Sequence, residues 1–286
     1  MRRALYLGVF ACLAALAGWL TYRYDTGVSP TTNPEDGRVT SGAYTNAYFG
    51  LSYPLPPGWV EDIAGPGPSE SGYYVLGTFI PDKALTGTIL LAAQDLFFAS
   101  NSPASADEMV NRFRQSMAKL DGMTIDDVPG EMTIAGRLAR RVDFNGVGLY
   151  RSMIALDIRC HLVSFMLTSA DPGRLADMVA TMNNLSSHAK ATSFAPTCIK
   201  DYAAGDNLLH KVQPVIGGPK YAAIPVRIII GRDGAVKHVH VIRASSEHRQ
   251  EIERALVQWK FKPFREHGQA VEVETGLQFV SKLAQN

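Results

Sequence analysis

The sequence has almost no excess charge. Its 28 Lys and Arg stand against 27 Asp and Glu, a formal net charge of +1 over 286 residues. No long Lys/Arg run is present to track a phosphate backbone, so the composition excludes an electrostatic nucleic-acid binder. Cysteine is scarce: Cys12, Cys160 and Cys198 are the whole set, and no C-x-x-C occurs. That spacing excludes a zinc knuckle and a thioredoxin-like redox motif. G-x-S-x-G, a phosphate-binding loop and a Ser/His/Asp order are missing as well. "VIGGPK" has adjacent glycines, but before a proline they read as a turn. No catalytic constellation, cofactor site or metal site emerges, and the chain reads as a non-enzyme. What is present is an ordinary globular balance, 46% apolar and 19% charged, at a length that allows one large domain or two ordinary ones.

The start of the chain stands apart. Arg2 and Arg3 precede an uncharged, mostly apolar run over residues 4–22, with Trp19 and Tyr22 near its far end and Arg23 beyond. About 20 apolar residues span a bilayer as a helix. The basic start favours a cytoplasmic N-terminus, and the aromatics suit the far interface. Two readings of residues 1–24 stand open: an uncleaved transmembrane anchor, or a signal peptide cleaved after the small-x-small run Ala15, Leu16, Ala17. A lipoprotein reading at Cys12 is disfavoured by bulky Phe10. Both main readings export the rest of the chain, placing Cys160 and Cys198 in an oxidising compartment. They either pair, closing a loop of about 38 residues worth roughly 3–4 kcal/mol in the chain-entropy model, or remain free thiols.

Residues 25–42, "DTGVSPTTNPEDGRVTSG", are polar and aperiodic and read as a linker; residues 187–207 read as a second one, with room for one short helix. Between them, residues 43–186 alternate strands and helices. Phe49, Leu51 and Tyr53 form a strand, and Pro56, Pro57 and Gly58 make the turn that delivers Trp59. Residues 104–120 predict a helix capped by Ser105, with an apolar stripe of Met109, Val110, Phe113, Met117 and Leu120. "EMTIAGRLARRVDFN" predicts a strand pair turning at Gly136. "GLYRSMIALDIRCHLVSFMLTS" is too long for one strand and predicts a hairpin turning near residues 158–160. "DPGRLADMVATMNNL" closes as a helix with Pro172 in its first turn. The pieces "YTNAYFGLSYPLPPGWV", "MTIAGRLARRVDF" and "TSADPGRLADMVATMNNL" resemble the PsbP-like extracytoplasmic domains, which implies a sheet packed by helices and no shared catalytic residues.

Residues 208–286 carry a ββαβ pattern. "AIPVRIIIG" predicts a strand apolar on both faces, Asp233 and Gly234 a tight turn, and "AVKHVHVIR" the returning strand. Ser245 or Ser246 caps a helix whose apolar face is Ile252, Ala255, Leu256 and Trp259. Pro263 is expected to stop that helix, and Val271, Val273, Leu277 and Phe279 to return as a strand facing it. "GRDGAVKHVHVIRASSEHRQEIERALVQWKFKPFREHGQAVEVETGLQF" resembles the TonB C-terminal domain. The resemblance rests on Trp259, Phe261, Pro263, Gly268, Val271 and Val273, with Asp233 and Gly234 before them. It implies an anchored protein of the bacterial inner membrane, single-pass, with periplasmic domains. It also implies contact with an outer-membrane TonB-dependent transporter, in a complex that draws on proton-motive force through an ExbB/ExbD-type proton channel. The chain departs from that pattern in two ways. A PsbP-like region replaces the Pro-rich spacer, and residues 4–22 hold no Ser or His. A non-energised periplasmic adaptor or binding module is therefore the alternative. The fold class expected overall is α+β: an N-terminal transmembrane helix, a PsbP-like sandwich, then the small ββαβ domain.

Candidate functional residues follow from this layout. The helix crossover leaves the last strand at an edge, whose unpaired N–H and C=O groups can capture an extended segment. The expected partner-binding edge is Glu272, Val273, Glu274, Thr275, Gly276 and Leu277, with Glu272 and Glu274 outward and Gly276 allowing close approach. His238 and His240 share the open face of their strand; metal ligation with Glu272 or Glu274 is weighed against solvated surface histidines, which is the reading adopted. Arg137, Arg140 and Arg141 beside Asp143 are read as surface ion pairs in preference to an anion clamp. The pairs Tyr73, Tyr74 and Phe97, Phe98 each place one ring inside and one outside, so a groove there is the minor reading.

Overall fold

Strands dominate from Arg38 onward. In the computed structural model, residues 32–62, 65–83, 86–99, 101–126, 129–187, 196–217 and 223–280 are described. The expected anchor or signal over residues 1–24, and Cys12 with it, lie outside the described residues. Among the described residues no helix is long and apolar enough to cross a membrane.

The first region opens with β1 (Arg38–Thr40), β2 (Ala43–Asn46) and β3 (Leu51–Pro54), an antiparallel run. The linker expected over residues 25–42 is thus a strand by Arg38. Gly58, at φ +75°, turns the chain into β4 (Trp59–Glu61). A large sheet follows, built from β5 (Tyr73–Pro81), β6 (Gly87–Asp95), β7 (Thr124–Ile125), β8 (Gly130–Ile134), β9 (Arg137–Gly146), β10 (Leu149–Ile158) and β11 (His161–Ser169). Its order is β4-β5-β6-β11-β10-β9-β7, with β8 also on β9. Helix α1 (Ala106–Met117) is capped by Ser105, whose side chain accepts from the Glu108 amide. It ends before Leu120, which is exposed; the apolar period of 104–120 overran the helix by a turn. Helix α2 (Pro172–Thr181) is capped by Asp171.

Alternation along β10 divides the burial. Ile154, Leu156 and Ile158 face a core shared with α2 and with Tyr44, Leu51 and Tyr53 of the small sheet. Met153 and Ala155 face a second core with Val110 of α1 and Phe144 of β9. The large sheet is therefore covered on both faces, which explains its near-continuous apolar strands.

Next come β12 (Ser186–Ser187), β13 (Thr197–Cys198) and β14 (Leu208–His210), then β15 (Ala223–Ile230), β16 (Val236–Val241) and helix α3 (Ser246–Leu256). The chain closes with β17 (Lys260–Phe261), a short hairpin of β18 (Arg265–Glu266) and β19 (Gln269–Ala270), and β20 (Val273–Val280). The sheet order β13-β20-β15-β16 makes β15 central, as its apolar sequence requires. Val226, Ile228, Ile230, Val273 and Phe279 meet Ile252 and Leu256 of α3 in a separate core. Gly234, at φ +78°, leaves no room for a Cβ, which would lie 2.0 Å from the Phe261 carbonyl oxygen.

Two expectations are corrected here. Trp259 is buried against this core but lies beyond α3, which stops at Leu256. Its indole N–H donates to the Val212 carbonyl at 2.7 Å, and the next two residues pair with β14, so tertiary partners end the helix well before Pro263. The second linker, 187–207, is partly built into the C-terminal unit: Tyr202 is buried there and its hydroxyl donates to the Lys262 carbonyl at 2.6 Å. From Thr32 onward the chain forms one compact unit, so the two regions are not separate bodies on a tether.

Candidate functional site

The two faces of the C-terminal sheet have different work. Residues of even number on β15 point to α3; Arg227 points the other way and is 2% exposed. A charged side chain so buried needs partners of opposite sign. Arg227 Nη1 bonds the Asp95 carboxylate at the end of β6, and Nη2 lies 2.9 Å from Glu274 Oε1 of β20. Nη2 also donates to the Tyr48 hydroxyl at 2.9 Å, and that hydroxyl donates to Glu274 Oε1 at 2.8 Å. Arg159, in the β10–β11 turn, contributes Nη2 at 3.1 Å from Glu274 Oε2 and stacks over the Tyr48 ring. Two guanidiniums thus balance two carboxylates, and the cluster ties both regions together.

Burial sets the protonation states. It pushes the Glu274 carboxyl up, but Arg227 and Arg159 outweigh it and hold the group below the ordinary range. Burial also raises the Tyr48 hydroxyl well above its usual value, which keeps it a donor. His161 sits in the same place, fully buried among the rings of Tyr48, Phe49 and Tyr74. Burial first, then Arg227 and Arg159, lowers its pKa well below the ordinary value and keeps it neutral.

The Cys160–Cys198 disulfide forms at the edge of this cluster, across Cα atoms 5.6 Å apart. Cys160 stands in the hairpin turn, where the sequence places it, and its sulfur lies 3.6 Å from Glu274 Oε2. Cys198 is on β13, which runs parallel to β20: the Thr197 amide donates to the Glu272 carbonyl at 2.8 Å and the Ile199 amide to the Glu274 carbonyl at 3.1 Å.

These contacts revise the site drawn from sequence. Glu274 is outward from α3 as expected, but it is buried in the ion cluster, not solvated. Glu272 is also buried and bonds Lys237. Gly276 makes room for the first region rather than for a partner: a Cβ there would lie 2.6 Å from Phe97 Cβ and 2.9 Å from Phe98. Phe97 and Phe98, of which one ring was expected inside and one outside, are both half-buried, Phe97 beneath Arg227. Of the histidines read as solvated, His240 is buried and His238 half-buried. His240 Nε2 lies 2.8 Å from Glu35 Oε1, and His238 Nε2 lies 3.2 Å from Asn33 Oδ1. Alternation told which face these residues share; it could not tell that residues 33–35 and 95–98 cover that face.

The edge itself divides at Glu274. The main-chain groups of Glu272 and Glu274 point away from β15, since β13 uses them. Strand alternation sends those of Gly276, Gln278 and Val280 the same way. The Pro225 carbonyl confirms this register. It faces β16, accepting from the Ile242 amide, so its partner Gln278 also points its main chain away from β15. Among the described residues no strand pairs with this outer side beyond Glu274. Val273, Thr275 and Leu277 spend their main-chain groups on β15.

Elsewhere, Arg140 pairs with Glu131 and Asp107, and Arg141 with Asp143, as surface ion pairs. A cavity of about 240 Å³ borders Arg141, Tyr150 and Arg151. Sequence reasoning missed Arg227, Asp95, Tyr48, Arg159 and His161. The available signal was Arg227 itself, a lone charge inside "AIPVRIII".

Residues 222–281 match the family model described as Gram-negative bacterial TonB protein C-terminal. Among solved structures, the chain is similar to cyanobacterial PsbP (CyanoP) from Synechocystis sp. PCC 6803, at 15% identity over 52% of this chain and 92% of that one, with a TM-score of 0.36. It is also similar to LpqN, involved in cell envelope biogenesis of Mycobacterium tuberculosis, at 14% identity over 48% of this chain and 82% of that one, with a TM-score of 0.32. No curated protein sequence matches the chain.

Proposed function

We propose that this chain is a TonB-like protein of the Gram-negative envelope, held at the inner membrane by residues 4–22, and that it docks a partner by strand addition. The partner class is an outer-membrane transporter or another envelope protein. We read the chain as a binding protein and not an enzyme. The observation that carries the proposal is the outer edge of β20 at Gly276, Gln278 and Val280, which no strand among the described residues pairs with and which lies within the stretch that matches the TonB C-terminal model. Main-chain pairing there supplies affinity, and alternate side chains supply specificity.

Gln278→Pro tests it. Proline removes an outward amide without touching the bonds to β15, so the fold survives at an edge position. Co-purification from crosslinked membranes should lose the partner captured by the wild type, with unchanged circular dichroism. Equal capture by the folded variant would refute docking at this edge.

The energised form of the proposal adds an ExbB/ExbD-type proton channel. The second form is a non-energised adaptor, and the interlock of Arg227, Asp95, Glu274 and the disulfide favours it: the docking unit is fixed to the preceding region instead of ranging on a spacer. A protonophore distinguishes the two. Capture that is insensitive to it supports the adaptor; capture that collapses supports energy transduction.

A further inference from the structure

The docking edge ends at Glu274 because the chain covers the rest of it with its own segment. Thr197 and Ile199 donate to the carbonyls that an incoming strand would use, and Cys198 between them is bonded to Cys160 of the first region. Past Ile199 the chain turns away, with Asp201 at φ +64° and the Ala204 amide bonded to the Asp201 carbonyl. The other anchors lie on either side: Pro196 is buried, Ile199 packs half-buried on the C-terminal core, Thr197 Oγ1 lies 3.4 Å from Glu266 Oε2, and Tyr202 is held in that core three residues on. The covalent bond is the one fixture that cannot be exchanged for a competing strand.

We infer that the Cys160–Cys198 disulfide is a redox latch on the docking edge: reduction by a dithiol releases the strap at Thr197, Cys198 and Ile199, and opens the edge back to Glu272 and Glu274. The consequence for partners rests on the strand-addition reading above; the latch itself does not. Cys198 is exposed and Cys160 is fully buried, so the accessible sulfur is that of Cys198. A thiolate of the dithiol donor attacks it, the Cys160–Cys198 bond breaks, and Cys160 leaves as a thiolate that takes up a proton. The donor's second thiol gives up its proton and attacks the mixed disulfide, releasing Cys198 as a thiolate that is protonated in turn. Two electrons and two protons pass to the protein, and the donor ends as a disulfide. The Cys160 thiol is then left beside Glu274 Oε2, to which it can donate.

With the strap free, a partner segment pairs along Glu272, Glu274, Gly276, Gln278 and Val280 instead of the last three alone. A longer ladder holds longer, so the oxidised protein binds weakly and the reduced protein firmly.

Amide hydrogen exchange on the full-length protein in detergent tests the latch without a partner. The samples are wild type, wild type reduced with a phosphine, Cys160→Ser and Cys198→Ser. The amides of Thr197 and Ile199 should exchange at least tenfold faster in the last three than in the first, with α3 and β15 amides unchanged. Unchanged protection of Thr197 and Ile199 would overturn the inference, because the strap would then hold without the bond. Faster exchange throughout α3 and β15 would overturn it too, because the disulfide would then support the fold and not the edge. Since no partner enters this readout, its failure leaves the docking proposal standing, and a failed capture test at Gln278 leaves the latch standing.

Discussion

Replacing Arg227 by Met removes a charge from the centre of the contact between the two regions while keeping most of the stem volume. Arg227 and Asp95 side chains are 2% and 0% exposed, and Glu274 is 3% exposed. Removal leaves Asp95 without its guanidinium and Glu274 with Arg159 alone. Breaking a buried pair from one side costs about 3–5 kcal/mol, because the surviving charge stays buried. That is a large share of the roughly 5–15 kcal/mol that holds a typical fold. For a chain of this size it lowers Tm by roughly 6–20 °C. Urea unfolding followed by circular dichroism and by tryptophan fluorescence reads the loss, Trp259 reporting the C-terminal core and Trp59 the core of the first region. The double variant Arg227→Met with Asp95→Leu removes one charge of each sign. Replacing a buried pair by apolar groups is near neutral, so the double variant should recover about 2 kcal/mol or more over the single one. A single variant that loses under about 1 kcal/mol, or a double variant no better than it, would refute the reasoning.

Two further outcomes follow from the same contact. His161 stays neutral when folded, whereas the unfolded chain protonates at the ordinary histidine value near 6.5. Stability therefore falls as pH drops below about 6.5, by about 1.4 kcal/mol per pH unit from this group, and His161→Phe should remove that slope between pH 5 and 6.5; parallel wild-type and variant curves would contradict it. Gly276→Ala drives a methyl group into Phe97 and should cost about 1–3 kcal/mol in urea unfolding, while a neutral effect would show that the two regions part easily.

Local chemistry was legible in the sequence; contacts across long separations were not. Ser105 and Ser245 announce helix starts because a cap is decided within four residues, and Pro172 announces one from its first turn. Asp233 and Gly234 announce their turn for the same reason. β15 reads as central because both its faces are apolar. Arg227, however, reaches Asp95 across 132 positions, and no period in the sequence carries that pairing. The strap at Thr197 and Cys198 was taken for linker because two residues are too few to show alternation. Glu274 was assigned to solvent because its strand alternates cleanly, and alternation names a face without naming its neighbour. The disulfide was approachable because Cys160 sits at a turn and Cys198 in a segment bound to pass close to it.

One face of the C-terminal sheet is spent on joining the two regions, and the proposed docking site is the outer edge of the last strand. A photo-crosslinking amino acid at Gln278, compared with one at His240, tests this in intact cells. The account predicts a discrete crosslinked envelope partner from Gln278 and none from His240, whose side chain is covered by Glu35. A partner crosslinked from His240 with none from Gln278 would contradict it and move the docking site to the face.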